Sequence, residues 1–148
     1  MPLYHNEDQA MLAETASQFM AEEGSIAKQL RHWRDRDCKD GFGHALWKEM
    51  AELGFTGILV SEEDGGLGMG HVEAGIVLEE IGRNLTPSPF LTSSVLAATA
   101  LGEASEELRG RYLPGLVGGD SVFAVAIDEG PGHVSILDTS TGEKLMEL

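Results

Sequence analysis

The amino-acid sequence predicts a mainly α fold: an orthogonal or up-down bundle of about six helices, ending in one or two strands of an incomplete β domain. Three observations carry this. Helix formers outnumber β-branched residues over most of the 148-residue length. Apolar residues recur at three- and four-residue spacing in successive stretches, each bounded by a capping residue, a glycine or a proline. At Gly118-Gly119-Asp120 that period gives way to a continuous apolar run. The same point divides the chain into a helical domain, 1–118, and a segment 119–148 that reads as the start of a β domain or a non-native tail.

The elements follow in order. Asn6 with Gln9 is a capping-box pair, and Leu12, Ala16, Phe19 and Met20 repeat behind it until Gly24 closes the helix. Ser25 is placed to cap a second helix, with Ile26, Leu30 and Trp33 on one side. Its other side carries Lys28, Arg31, Arg34 and Arg36 interleaved with Asp35 and Asp37. That pattern is either a phosphate-binding patch or a solvated face that pairs with itself, and the alternation of sign favours the second. A third helix, Gly43 to Leu53, buries Leu46, Trp47 and Met50, with Gly54 as its C-terminal cap. A fourth, His71 to Gly82, turns Val72, Val77, Leu78 and Ile81 inward and leaves Glu79 and Glu80 to water. After Thr86-Pro87-Ser88-Pro89, a fifth helix, Phe90 to Leu101, is apolar or small nearly all round, which predicts a central position in the bundle. Ser105 and Glu106 open a sixth, ended by Pro114-Gly115. Ser121 to Ile127 then reads as a buried strand and Val134 to Leu137 as a second, followed by a polar turn through Asp138 to Gly142. One or two strands do not make a stable sheet by themselves.

A chain of this length buries roughly 70% of its unfolded surface and needs no covalent staple. The net charge of −15 argues against nucleic acid and anionic membranes as partners. Cys38 is the only cysteine, which excludes a disulfide framework and a thiolate metal cluster and suits a reducing cytoplasm. No basic start precedes an apolar core at the N-terminus, so no secretory signal is visible. The longest apolar stretch, Pro89 to Leu101, falls short of the ~20 residues of a spanning helix. No metal ligand set is evident.

Gly65-Gly66-Leu67-Gly68-Met69-Gly70, after an apolar run and before a helix, has the order of a phosphate cradle. The spacing is wrong for one. A G-x-G-x-x-G fingerprint begun at Gly66 and Gly68 needs its third glycine at position 71, which is His71. Glu62, Glu63 and Asp64 stand immediately upstream and would repel a pyrophosphate. No lysine follows to hold a phosphate. The glycines are therefore expected to make a tight path between two helices.

Several of these stretches together resemble the N-terminal helical domain of the acyl-CoA dehydrogenase family. They are Leu53-Gly54, Glu62-Glu63, Gly65-Gly66-Leu67-Gly68 and Glu79-Glu80-Ile81-Gly82-Arg83, in that order. Glu107-Leu108-Arg109-Gly110-Arg111-Tyr112-Leu113-Pro114-Gly115-Leu116 resembles the family helix that hands the chain to a middle β domain. The resemblance covers roughly residues 5 to 130. Each motif is modest; their order and spacing are specific.

The resemblance implies a flavoprotein that uses FAD to remove a proton and a hydride from adjacent carbons of an acyl-CoA thioester, with an electron-transferring flavoprotein as acceptor and a homo- or hetero-oligomeric assembly. In the family the base is a glutamate of a C-terminal helical domain, so no catalytic residue is carried onto this chain. Glu62, Glu63, Glu79 and Glu80 are expected to be surface carboxylates. Flavin contacts carry over to Val125, Ala126, Ile127 and Asp128. The family motif Thr-Glu-Pro is here Asp128-Glu129-Gly130, which puts a carboxylate where the ring normally meets a hydroxyl. Acyl-chain lining carries over to Leu85, Thr86, Pro89 and Phe90, whose other reading is plain core packing. By this resemblance the chain is a truncated N-terminal portion, inert alone and retaining little FAD. The alternative is a non-enzymatic helical partner subunit of a heteromeric dehydrogenase; a third reading, an unrelated helical binding module, requires the motif order to be coincidence.

Overall fold

The computed structural model describes residues 4–127, 134–139 and 144–147. Helix α1 (Glu7–Glu22) opens on the predicted capping box: Asn6 Oδ1 accepts from the Gln9 N–H at 2.8 Å, and Gln9 Oε1 accepts from the Asn6 N–H at 3.1 Å. A π-helical turn, Ala27–Arg31, runs into the short helix α2 (His32–Asp35). Helices α3 (His44–Glu52), α4 (His71–Arg83), α5 (Ala98–Gly102) and α6 (Glu106–Val117) follow, with a second π-helical segment, Leu91–Ala97, leading into α5. Strands β1 (Phe123–Ile127), β2 (Val134–Asp138) and β3 (Lys144–Glu147) form an antiparallel sheet in the order β1-β2-β3. The architecture is mainly α, as predicted. The third strand adds a partner that two strands would lack.

The chain forms two compact units, Met1–Trp47 with Gly70–Ser88 and Lys48–Met69 with Pro89–Leu148. In the first, α1 packs on α4, burying Ala16 and Met20 of α1 and Ala74, Ile76 and Val77 of α4. In the second, Val60, Ala97, Ala98, Leu101, Leu113, Leu116 and Phe123 form one apolar cluster, with Tyr112 and Val125 packed against it.

Four details differ from expectation. The π-turn begins behind Ile26, which has no side-chain cap, and Ser25 contributes its carbonyl, which accepts from the Gln29 N–H at 2.9 Å. Val72 lies 46% exposed, while Ile76 takes the inward position beside Val77. The Phe90–Leu101 stretch is not buried all round: Leu91 and Leu96 are exposed, while Phe90, Ser93, Ser94, Ala97, Ala98 and Leu101 are buried. In a π-helix, residues five apart stack, so one face holds both leucines and the small residues turn inward. Finally, α6 does not stop at Pro114. Proline there forfeits only a bond to the Gly110 carbonyl, and the helix runs on to Val117, where the Gly118 N–H donates to Pro114 O.

Candidate functional site

The glycine loop binds itself. The N–H groups of Gly66, Leu67, Gly68 and Met69 donate to the carbonyls of Ser61, Gly57, Val60 and Ile58, at 2.7–3.0 Å. Those are the donors a phosphate cradle would point at its ligand. The next N–H, that of Gly70 at the start of α4, is taken by Glu73 Oε2 at 2.9 Å. Gly65 and Gly68 lie at φ +87° and +60°, as a tight path requires.

The four residues carried over as acyl-chain lining divide between the two units. Leu85 and Thr86 follow α4 in the first; Pro89 and Phe90 open the π-helical segment in the second. Thr86 is buried, and its hydroxyl donates to the Gly24 carbonyl at 2.8 Å. A Cβ at position 24 would come within 2.6 Å of that hydroxyl, so the glycine lets the turn after α4 close on the end of α1. Phe90 is wholly buried, and the Pro89 carbonyl accepts from the Ser93 N–H. Of the four, Leu85 alone offers a large exposed apolar surface, at 56%.

Strand β1 carries the residues assigned to the flavin. Val125 is half-buried against the apolar cluster and Ala126 is exposed. Asp128 lies outside the described residues, directly after Ile127. Among the described residues β1 pairs only with β2. The Val122 carbonyl accepts from the Thr139 N–H on the β2 side, whereas the Phe123 N–H points the other way, to Ser93 Oγ at 3.3 Å. Alternation along an antiparallel ladder then turns the backbone groups of Val125 and Ile127 to the same side as Phe123, away from β2. On that side the Phe123 N–H is held by Ser93, and the backbone groups of Val125 and Ile127 follow at a two-residue spacing.

The acidic residues have distinct settings. Glu62 and Glu63 are exposed. Asp64 accepts from Ser61 Oγ and faces Arg109 at 3.6 Å. Glu79 is exposed and pairs with Arg83. Glu80 does not point to water: it is buried, with its carboxylate 3.2 Å from Arg83 Nε. Arginine three and four residues on can reach both glutamates, so the Glu-Glu-x-Gly-Arg spacing already held that signal. The sequence reading also missed Lys48, whose ammonium donates to the Gly118 carbonyl at 2.7 Å and pairs with Asp120. Among the described residues no group of three His, Cys, Asp or Glu side chains is placed to hold a metal ion, and no helix is long and apolar enough to cross a membrane.

The family model described as acyl-CoA dehydrogenase, N-terminal domain, matches residues 6–120. The acyl-CoA dehydrogenase FadE27 of Mycobacterium tuberculosis is 35% identical over 118 residues, covering 77% of this chain and 32% of that protein. The ChsE4-ChsE5 complex from Mycobacterium tuberculosis has a chain that superposes with a TM-score of 0.70 at 24% identity, over 93% of this chain and 40% of that one. The acyl-CoA dehydrogenase complexed with FAD from Bacillus anthracis superposes with a TM-score of 0.67 at 23% identity, over 93% of this chain and 26% of that one. The chain thus spans about a third of the length of the curated relatives it matches first. A domain match over residues 6–120, on a helical fold that these structures share, places the chain in the acyl-CoA dehydrogenase family.

Proposed function

We propose that the chain serves FAD-dependent α,β-dehydrogenation of acyl-CoA thioesters by supplying the N-terminal helical part of the catalytic unit, 1–118, and the first strands of its β domain, 119–148. The β1 edge turned away from β2 carries this reading. Val125 and Ile127 direct their backbone groups to that side, with Ala126 between them, and Asp128 is next in the sequence. FAD, if bound, would supply the hydride acceptor for the reaction. This chain's part is to hold the ring's polar rim through β1 and to contribute acyl-chain lining, Leu85 and Thr86 from the first unit and Pro89 and Phe90 from the second. Among the described residues, Glu79 and Glu80 are engaged by Arg83, and Asp64 by Ser61 and Arg109, so none of these three is assigned as the base that removes the α-proton. In this reading the base and the rest of the flavin site come from further polypeptide, in an oligomeric cytoplasmic assembly that passes electrons to an electron-transferring flavoprotein.

The test is a visible absorption titration of the purified chain with FAD. A shifted, resolved flavin band that saturates near one equivalent is the supporting result. A spectrum indistinguishable from free FAD at all ratios would mean that β1 does not hold the ring without the further polypeptide. A second reading, a non-enzymatic partner subunit of a heteromeric dehydrogenase, is favoured by Asp128, which replaces the family's threonine, and by the likeness to a chain of the ChsE4-ChsE5 complex. Flavin binding and acyl-CoA oxidation that arise only when a longer dehydrogenase chain is mixed in would support it.

A further inference from the structure

The turn between α6 and β1 is tied down from several sides, and the ties from Thr56 and Lys48 come from far away in sequence. Helix α6 ends with carbonyls that lack intrahelical partners. Thr56 Oγ1 donates to the Val117 carbonyl at 2.6 Å. Lys48, at the middle of α3, donates to the Gly118 carbonyl at 2.7 Å and pairs with the Asp120 carboxylate two residues on. Between those two anchor points Gly119 turns the chain at φ +69°. The N–H groups of Asp120 and Ser121 both donate to the Gly115 carbonyl, at 2.9 and 3.0 Å. Strand β1 begins two residues later.

From this we infer that Lys48 is a positioning residue for β1: its ammonium bridges the Gly118 carbonyl and the Asp120 carboxylate, and so sets the direction in which the strand leaves α6. Lys48 and Asp120 are exposed by 48% and 69%, so the ion pair alone contributes little in water. The bond to the carbonyl adds a cation at the negative end of α6, which reinforces the pair. A tie of this kind does not hold the unit together. It selects one geometry for a turn that glycines at 118 and 119 would otherwise leave open. What the β1 edge holds rests on the flavin reading above; the role of Lys48 does not.

The test is amide hydrogen exchange on the 148-residue chain, comparing the natural protein with Lys48→Met, Lys48→Arg and Asp120→Asn. The reporters are the amides of Phe123, Ala124 and Ala126, against Leu113 and Leu116 in α6. Lys48→Met is expected to speed exchange in the strand about three- to tenfold, while the α6 amides stay within about twofold. Lys48→Arg, which keeps charge and donors, restores the strand; Asp120→Asn gives a smaller acceleration. Unchanged strand exchange, equal acceleration in strand and helix, or failure of Lys48→Arg to restore would each overturn the inference. An FAD titration of the same set separates the two readings. A weakened FAD Kd that tracks strand exchange supports both. No flavin shift even in the natural chain bears only on whether β1 holds the ring without further polypeptide, and exchange still decides for or against Lys48.

Discussion

Asp37 and Leu85 are the two described non-glycine residues with positive φ, and Leu85 stands where a helix ends. The Thr86 N–H donates to Ile81 O and the Leu85 N–H to Gly82 O, the pair of bonds of a Schellman motif with Leu85 at the left-handed position. Glycine normally fills that position, because a Cβ there costs about 1 kcal/mol. Leu85→Gly is therefore expected to raise unfolding stability by about 0.5–1 kcal/mol in urea, since the exposed leucine gives up little burial. If Leu85 is kept for the acyl group, the same variant weakens acyl-CoA binding while it stabilises the fold. Gly66 makes the opposite case. A Cβ there would overlap the Val60 carbonyl and side chain and lie 2.6 Å from the Gly57 carbonyl. Gly66→Ala should cost about 2–4 kcal/mol, as overpacking against backbone does. Gly65→Ala, at φ +87° but in open space, should cost only about 1 kcal/mol. The sequence marked this stretch as a bend; which glycine serves φ and which serves space depends on carbonyls up to nine residues upstream, beyond any local pattern.

At the scale of elements, the joint between α1 and α4 carries a pH-sensitive tie. Gln9 Nε2 donates to Glu73 Oε1 at 2.8 Å, while Glu73 Oε2 accepts from the Gly70 N–H. The Gln9 bond, aided by the backbone donors at the start of α4, holds the Glu73 carboxyl below the usual glutamate range. A folded-state pKa below the unfolded value contributes stability that is present above the unfolded pKa and lost as pH falls through the folded one. Thermal midpoints of the natural chain and Glu73→Gln should therefore converge as pH drops from 6 to about 3, with the natural chain ahead at the upper end. A constant gap would assign the effect to shape rather than charge. Gln9 thus caps α1 with its oxygen and reaches α4 with its nitrogen. The capping half was legible, because Asn6 and Gln9 are three residues apart; the other half joins residues 64 apart. The π-helical segments were illegible for a related reason: a wider turn leaves an apolar pattern much like that of an α-helix, and only Leu91 and Leu96 outside with Ser93 and Ser94 inside reveal it.

Across the whole molecule, charge is the property that no single contact absorbs. The formal net charge is −15, yet five of the ten Lys and Arg residues stand between Lys28 and Lys39. Several short motifs in fixed order sufficed to read the family, and the continuous apolar run Ser121–Ile127 gave the strand β1 but not which side pairs with β2. The Lys48 tie escaped because its partners lie 70 and 72 residues away. An excess of one sign opposes compaction by self-repulsion, and salt screens that repulsion beyond about 10 Å at 0.1 M. The natural chain should gain stability as sodium chloride rises from 20 to 500 mM, by about 2–4 °C for each kcal/mol of repulsion relieved. Within the basic stretch, Lys28 pairs with Glu23 and Arg34 with Asp35, whereas Arg36 donates to the His32 ring nitrogen. If these cations act mainly by offsetting the excess, replacing Arg31 and Arg36 with glutamine takes the charge from −15 to −17 and steepens the salt dependence, with the two proteins converging at 500 mM. A deficit that persists undiminished in high salt would instead mean that Arg31 and Arg36 hold the α2 region through packing and hydrogen bonds, and that the excess charge is borne without cost to the fold.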